Sequence, residues 1–417
     1  MHRRRGGVLA AALSTVVFAC APNARPSDAG APATDIASVT TAATDEPTTA
    51  SPRTAVSLTT TSVPSTPPSS ATLSSETPTS ARAATLALCV ARLPLRQRIA
   101  LLTWPALTAA QWDLAESVVR ENHLGGVVLL SAPADVGPAV ARLKGANPRG
   151  VLVSVDEEGG TVQRLRGLGV LPSAAQMAAS HSPAQARAII AEHAKAIAAA
   201  GIDVVLGPVV DVKPVDAEGP LGTRTFSDDP SVVAAFGRAY VEGWRDGGIV
   251  PVLKHFPGHG AASADSHTGV ARTPPLAVLV QRDLLPYWDL APLEPAVMVG
   301  HLTVPGLTTR DSLPASLDPD AINGLLRSRP GYSDALVLTD ALEMGAVRAV
   351  APLGEAAVLA LIAGADVVLF SGISEVDRVL DSIEAAARQG RISEAVVDVA
   401  AARVARRYRD AGAFCSR

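Results

Sequence analysis

One short segment of the chain, between residues 254 and 267, holds a lysine, three histidines and an aspartate among glycines and a proline. It reads KHFPGHG at its start and Asp265-Ser266-His267 at its end. Imidazole and carboxylate groups can transfer protons near neutral pH, and the same groups can hold a metal ion. The apolar run at residues 249–253, directly before the segment, predicts a buried strand. Active-site residues of α/β barrels follow strands in this way.

Eight short aliphatic runs divide the later part of the chain, and Ala-rich, helix-compatible stretches such as residues 184–200 and 230–245 lie between them. Aromatic residues make up only 3% of the chain, so the core is aliphatic, which suits parallel strands covered by helices. The pattern predicts an α/β protein with a (β/α)8 TIM-type barrel as its single catalytic domain. The predicted strands are residues 99–103, 126–130, 151–155, 203–206, 249–253, 296–299, 335–338 and 366–369.

Polar or charged residues follow most of the predicted strands. Each group alone fits a buried salt-bridge network that closes the barrel. Together, on one rim of the barrel, the groups favour a site for a polar substrate. They are Asp156, Glu157 and Glu158 after the third strand, Asp211 and Arg224 after the fourth, Lys254 and His255 after the fifth, His301 after the sixth, and Asp340 after the seventh.

The charge balance argues against a nucleic-acid ligand. Lysine and arginine together number 36, aspartate and glutamate number 40, and the formal net charge is -4. No basic excess is available to neutralise phosphate groups. The sequence therefore predicts no nucleic-acid partner, and we expect a monomer.

The first residues have the features of an export signal. Residues 3–5 are arginines, and residues 8–19 form an apolar run that is too short to span a membrane as a stable helix. Val17-Phe18-Ala19 precedes Cys20 in the manner of a bacterial lipoprotein signal, so residues 1–19 are the predicted signal peptide and Cys20 the lipidated residue. An ordinary secretory signal with an incidental cysteine is the alternative.

A polar segment follows the predicted signal. Residues 20–84 are rich in Ser, Thr, Pro and Ala and carry no sustained apolar periodicity, which predicts a disordered tether. The barrel domain is then expected over residues 85–417. An acylated Cys20 and a flexible tether predict a cell-envelope protein, lipid-anchored to the outer face of the cell membrane and partly secreted.

Two further cysteines, Cys89 and Cys415, lie near the start and the end of the predicted barrel domain. An exported protein can form a disulfide between them, and chain termini often lie close together. Two free buried thiols fit the sequence equally well, so the pairing stays open at this point.

The carboxylates and histidines on the predicted rim suit the hydrolysis of a glycosidic bond. Asp340 could attack an anomeric carbon, as the nucleophile of a retaining glycosidase does. The acid/base partner need not be a second carboxylate, since a histidine oriented by an aspartate can protonate the leaving oxygen and then deprotonate water. Asp265 and His267 supply both groups within one loop.

Several long motifs occur in a fixed order along the chain: QRI at 97–99, VDEEGG at 155–160, VQR at 162–164, TRTF at 223–226, KHFPGHG at 254–260, DSH at 265–267, HLTVPG at 301–306 and LTDALEM at 338–344. In these motifs the chain resembles a bacterial single-domain β-N-acetylglucosaminidase of glycoside hydrolase family three, in a lipoprotein form. The resemblance extends over residues 95–370.

The resemblance implies a role for each matching residue. Asp340 is the implied nucleophile of a retaining, exo-acting enzyme, and His267 is the implied acid/base with Asp265 as its partner. No metal or other cofactor is implied, and the implied substrates are N-acetylglucosamine-containing glycans or muropeptides derived from peptidoglycan. The implied sugar-binding residues are Asp156, Arg164, Arg224, Lys254 and His255.

Three alternatives remain open at this stage. A β-glucosidase or β-xylosidase of the same family differs only in the sugar that it accepts. A non-catalytic wall-binding lipoprotein would have no use for Asp340 and His267, and His259 is expected to be structural and hydrogen-bonded within its loop. A metal-dependent hydrolase would use as ligands His255, His259, Asp265 and His267.

Overall fold

The computed structural model describes residues 78–214, 221–266 and 268–416. Within them, eight parallel strands close into a barrel in which each strand pairs with the next along the chain and the eighth pairs with the first. Helices connect the strands, which confirms the predicted (β/α)8 TIM-type barrel. The strands are β1 (Thr103–Leu107), β2 (Gly126–Leu129), β3 (Leu152–Val155), β4 (Val204–Val205), β5 (Val250–Phe256), β6 (Ala296–Val299), β7 (Val337–Ala341) and β8 (Val367–Ser371).

Two helices precede the barrel and others follow its strands. The α-helices are α1 (Pro78–Ala91), α2 (Leu95–Leu101), α3 (Trp112–Asn122), α4 (Val136–Gly145), α5 (Ala174–Ser180), α6 (Pro183–Ala199), α7 (Pro230–Asp246), α8 (Leu276–Leu279), α9 (Leu285–Leu290), α10 (Gly345–Arg348), α11 (Leu353–Ala363), α12 (Val376–Arg388) and α13 (Glu394–Ala405). A π-helix covers Asp320–Leu326. An antiparallel hairpin pairs Glu157–Gly159 with Val162–Gln163, and a short parallel pair joins Ala271–Arg272 to Leu302–Thr303.

The barrel strands consist mainly of small and β-branched apolar residues. β2 and β3 read GVVL and LVSV, every residue in them is buried, and they pair in register from Gly126 with Leu152 to Leu129 with Val155. Such side chains favour an extended backbone and pack well between a sheet and its helices. This continuous apolar pattern is the reason that seven of the predicted strands overlap the observed ones by two residues or more.

The predicted first strand, residues 99–103, is wrong. These residues fall mostly in α2, which begins directly after Pro94, and β1 starts only at Thr103. A short, fully buried apolar run fits a helix as well as a strand, so periodicity alone could not separate the two. Pro105 also argues against a strand at the position of β1, because proline cannot donate a ladder hydrogen bond and is uncommon inside a sheet.

Two other strands run further than their apolar residues predict. β5 continues through Lys254 and His255 to Phe256, and β7 continues through Asp340 to Ala341. The peptide bonds from Lys254 to His255 and from Phe256 to Pro257 are cis. Three of the predicted site residues therefore lie on barrel strands, and side chains on strands are held more rigidly than side chains on loops.

The helices beside β4 begin at clear sequence signals. The Ser182 side chain accepts the N–H of Gln185 at the start of α6, and the Asp229 side chain accepts the N–H of Ser231 at the start of α7. Each cap is followed by a proline in the first helical position. These signals explain why both helices begin within one residue of their predicted positions.

Buried carboxylates tie strands together at the N-terminal end of the barrel. Asp203, directly before β4, accepts the N–H of Val153 at 2.9 Å and the Lys144 ammonium group at 2.7 Å. Asp366, directly before β8, accepts the N–H of Val337 at 2.8 Å. These contacts stabilise the face of the barrel that is remote from the C-terminal ends of the strands.

A disulfide bond joins Cys89 of α1 to Cys415 near the end of the chain, with their Cα atoms 5.0 Å apart. It answers the question of pairing that the sequence left open. The predicted signal peptide at residues 1–19, the predicted lipidation site Cys20 and residues 20–77 of the predicted tether lie outside the described residues. Residues 78–84, the end of the predicted tether, instead form the first part of α1, where alanine and arginine favour a helix. None of the helices in the described ranges is long and apolar enough to cross a membrane.

Candidate active site

A cavity of about 180 Å³ opens at the C-terminal ends of the barrel strands. Apolar side chains such as Val128 and Met298 form part of its wall. Residues far apart in sequence meet here because parallel strands of a barrel all end on the same rim. Six of the predicted site residues line the cavity, namely Asp156, Arg164, Arg224, Lys254, His255 and Asp340.

Lys254 on β5 is the centre of a cluster of four charged side chains. Its Nζ lies 2.7 Å from Asp156 Oδ1 and 2.6 Å from Glu158 Oε1. Arg224 donates from Nε and Nη2 to the two oxygens of Glu158, at 2.8 and 2.9 Å. Two carboxylates and two cations compensate one another here, so the cluster offers many fixed donors and acceptors without excess charge.

The members of this cluster hold one another in their charged forms. Burial alone would raise the pKa of Glu158, but the charges of Lys254 and Arg224 outweigh it and lower the pKa to about 2. Burial alone would lower the pKa of Lys254, but the charges of Asp156 and Glu158 raise it. Fixed charges of this kind orient a polar ligand without the reorganisation that water would need.

Asp211 is a fully buried carboxylate that holds two histidines of the 254–267 segment. It accepts a hydrogen bond from His255 Nδ1 at 2.7 Å and one from the backbone N–H of His259 at 2.6 Å. Burial alone would raise the pKa of Asp211, but the charges of His255 and His259 lower it. Because an ionised carboxylate only accepts, Nδ1 of His255 carries a proton and the ring orientation at the cavity wall is fixed.

Asp340 lies in β7 and is partly exposed to the cavity. Its Oδ1 accepts the N–H of Ala341 at 2.8 Å. Burial alone would raise the pKa of Asp340, but the charges of His301 and His255 and the Ala341 hydrogen bond lower it to about 2. The side chain is therefore an anion at neutral pH, which is the form that a nucleophile requires.

His301 is held against the end of β7 by two hydrogen bonds. Its Nε2 donates to the carbonyl oxygen of Ala341 at 2.9 Å, and its Nδ1 lies 2.7 Å from the Ser316 hydroxyl. Because a carbonyl can only accept, Nε2 carries the proton. The imidazole thus stays beside Asp340 in one orientation.

The loop after β5 carries the other predicted catalytic residues. Asp265 is partly buried, and its carbonyl accepts the N–H of Thr268 at 3.1 Å. Nε2 of the buried His259 lies 3.2 Å from the Ser266 hydroxyl, so His259 is hydrogen-bonded within the loop as expected, and burial lowers its pKa. His267, the predicted acid/base, lies outside the described residues.

Three residues have a larger part in the site than the sequence indicates. Glu158, Asp211 and His301 follow predicted strands, but the sequence alone gives none of them an individual role. A signal for Glu158 exists, because side chains two positions apart in an extended chain point to the same side, and Asp156 is such a neighbour. No such signal exists for Asp211, since its histidine partners become adjacent only on folding.

The metal alternative requires a group of ligands in the 254–267 segment. Among residues 78–214, 221–266 and 268–416, no three His, Cys, Asp or Glu side chains are grouped in a way that could hold a metal ion. His255 instead bonds to Asp211, and His259 contacts Ser266. The described part of the segment is thus organised by hydrogen bonds. His267, another ligand in the metal alternative, lies outside the described residues.

Sequence and structure comparisons with known proteins find relatives of the same kind. Residues 95–407 match the family described as Glycosyl hydrolase family 3 N terminal domain. The beta-hexosaminidase LpqI of Mycobacterium tuberculosis is 43% identical over 303 residues, which are 70% of this chain and 77% of LpqI. The solved structure of M. tuberculosis LpqI matches with a TM-score of 0.73 at 40% identity and covers 78% of this chain and 96% of that chain.

A second solved structure extends the comparison beyond mycobacteria. The family 3 β-N-acetylglucosaminidase of Paenibacillus sp. str. FPU-7 has a TM-score of 0.71 at 31% identity and covers 78% of this chain and 64% of that chain. The family match spans the whole barrel and every residue of the cavity wall. This chain belongs to glycosyl hydrolase family 3 and is a glycoside hydrolase.

Proposed function

We propose that this protein is an exo-acting, retaining β-N-acetylglucosaminidase that removes terminal β-linked N-acetylglucosamine. The observation that carries the proposal is the cavity, in which the ionised Asp340 shares the wall with the charged cluster around Lys254. Membership of family 3 supports glycoside hydrolysis. The names of similar proteins, a beta-hexosaminidase and a β-N-acetylglucosaminidase, support the choice of sugar.

The positions of Asp340 and of the charged cluster on the barrel suggest how a sugar would lie in the cavity. β3 and β7 are on opposite sides of the ring of eight strands, so Asp156 and Asp340 belong to opposite walls of the cavity. A pyranose ring between them would have C1 near Asp340 and its hydroxyl groups near Asp156, Lys254 and Arg224. Binding in this position would hold the sugar beside Asp340 before the reaction begins. The loss of translational and rotational entropy, a large part of the barrier in solution, would then no longer add to the barrier of the chemical step.

The proposed reaction has two displacement steps. In the first, an Asp340 oxygen bonds to C1 while the bond from C1 to the leaving oxygen breaks, and His267 gives a proton to that oxygen. In the second, His267 takes a proton from water, whose oxygen bonds to C1 and releases Asp340. Asp265 would orient the His267 ring and stabilise the protonated form that exists before the first step and is regenerated in the second.

A comparison of three substrates tests this proposal. For the purified full-length protein, we expect kcat/KM on an aryl β-N-acetylglucosaminide to exceed that on the matching β-glucoside and β-xyloside by about 100-fold or more, since specific polar contacts discriminate strongly. A chelator should leave the activity unchanged. Preference for the glucoside or xyloside would move the specificity within the family, and full loss of activity with chelator would favour the metal-dependent alternative.

The proposed location is the outer face of the cell membrane, with an acyl group on Cys20, a tether over residues 20–77 and peptidoglycan fragments as substrates. The disulfide between Cys89 and Cys415 supports export, because disulfides persist mainly outside the reducing cytoplasm. Labelling of cells with a tagged fatty acid tests the anchor. We expect label on the wild-type chain and none on Cys20→Ala, whereas equal label on both would refute the assignment of Cys20.

A further inference from the structure

Glu157 lies next to the cavity residues Asp156 and Glu158 but has no exposed surface. Its carboxylate receives four hydrogen bonds. Oε1 accepts from Gln163 Nε2 at 2.9 Å and from His193 Nε2 at 2.9 Å. Oε2 accepts from two successive backbone N–H groups, those of Arg164 and Leu165, each at 3.0 Å. A buried carboxylate with two donors on each oxygen is fully satisfied, and its geometry is closely constrained.

The donors tie the carboxylate to both its own loop and the outer helices. Gln163 also donates to the Gly169 carbonyl at 2.8 Å and accepts the N–H of Leu171 at 3.0 Å, so the chain from 163 to 171 is wound around Glu157. His193 comes from α6, and its ring packs edge-on against Trp244 of α7, with ring centres 6.0 Å apart. Glu157 therefore anchors the loop to two helices of the barrel.

The residue that this anchor holds most directly is Arg164. Glu157 accepts the backbone N–H of Arg164 itself, while the Arg164 side chain lines the substrate cavity. The contact from Arg164 Nη2 to Asp156 is long, 3.8 Å, and the side chain is 34% exposed. A weak contact of this kind does not fix a long side chain. The position of the guanidinium group therefore depends on where the backbone is held.

We propose that Glu157, together with His193, is a positioning residue that sets substrate affinity by holding the Arg164 backbone at the cavity wall. It does so without contacting the substrate. The inference rests on the proposed function, in which Arg164 binds the sugar. A displaced Arg164 weakens a contact made equally in the bound substrate and in the transition state, so KM should rise while kcat stays nearly constant.

The first test compares two buried carboxylates in the full-length protein. Glu157→Gln keeps the shape but places an amide NH₂ against groups that are themselves donors, and we expect a KM increase of about tenfold with kcat within about twofold. Asp203→Asn is the matched control, since Asp203 is also buried and accepts a backbone N–H, but at the opposite end of the barrel. It should lower thermal stability and leave KM unchanged.

A double-mutant cycle shows whether the effect passes through Arg164. In an Arg164→Ala background, Glu157→Gln should raise KM by less than about twofold, because the side chain that it positions is already gone. His193→Phe keeps an aromatic ring against Trp244 but removes the hydrogen-bond donor to Glu157. This variant tests the same positioning role if Glu157→Gln does not fold. We expect it to raise KM with little change in kcat.

Each outcome of these measurements is informative. An unchanged KM in the folded Glu157→Gln and His193→Phe variants, or fully additive effects of Glu157→Gln and Arg164→Ala, would overturn the inference while the proposed function stands. Equal KM increases in Glu157→Gln and Asp203→Asn would overturn it too, because the effect would then be a general loss of stability. A wild-type protein that is inactive on all three aryl glycosides would overturn the proposed function and this inference together.

Discussion

Replacement of Asp340 by asparagine is expected to lower kcat on an aryl β-N-acetylglucosaminide by at least about 10⁴-fold, the scale of loss when a catalytic nucleophile or its base is removed. The amide has nearly the same shape but carries no charge and cannot form the glycosyl-enzyme bond. The cluster around Lys254 is untouched, so binding of N-acetylglucosamine should change little. Steady-state fluorescence assays measure kcat, and calorimetric titration measures the binding of N-acetylglucosamine.

A second variant tests the chemical role of the same residue. Asp340→Gly leaves a space beside C1, and added azide should restore part of the activity and yield an α-glycosyl azide, since azide attacks from the face that Asp340 occupied. Azide should not accelerate the wild-type enzyme. If kcat of Asp340→Asn stays within about tenfold of wild type, or if azide yields no glycosyl azide, Asp340 is not the nucleophile.

The pH profile offers an independent check on Asp340. Because the pKa of Asp340 is lowered to about 2, the carboxylate stays ionised throughout the acidic range in which the enzyme can be assayed. The acidic limb of kcat/KM should therefore reflect another group. An acidic limb that shifts with substitutions that perturb Asp340, and that is unchanged in variants of the other titratable residues, would contradict this expectation.

Replacement of Glu158 by glutamine is expected to lower the free energy of unfolding by about 3–5 kcal/mol. The substitution leaves Lys254 with Asp156 as its remaining carboxylate partner and removes the bidentate partner of Arg224. The Lys254 side chain is only 3% exposed and that of Arg224 20% exposed, so water can replace the lost contacts only in part. Chemical denaturation at pH 7 measures the change. Glu192→Gln, at a largely exposed glutamate paired with Lys195, is the control and should change stability by less than about 0.5 kcal/mol.

The same residue should make stability depend on pH. The pKa of Glu158 falls from 4.5 to about 2 on folding, so its contribution is complete above about pH 4.5 and is lost as the pH falls towards 2. For a shift of this size the contribution is on the order of 3 kcal/mol. Wild-type stability should therefore fall more steeply than that of Glu158→Gln over this pH window. Parallel curves for the two proteins would show that the cluster does not stabilise the ionised form.

The barrel and most of the cavity can be predicted from local patterns of residues. Short runs of β-branched and aliphatic residues such as GVVL and LVSV can be buried on both faces only in a parallel sheet covered by helices. Because all strands of such a barrel end on one rim, a polar residue after each run is enough to predict that Asp156, Lys254 and Asp340 meet. Capping residues such as Ser182 and Asp229 likewise mark helix starts locally.

Features that depend on contacts between distant residues become visible only in the folded chain. The run at 99–103 is apolar enough for a helix or a strand, and only packing placed α2 there and β1 after it. The pairing of Cys89 with Cys415 required the two ends of the barrel unit to meet. Glu157 and Glu158 are adjacent and identical in type, yet Glu157 accepts a hydrogen bond from Gln163 and Glu158 pairs with Lys254. Alternation along an extended chain predicts that these two side chains point to opposite sides, but their roles are set by donors that arrive from elsewhere in the chain.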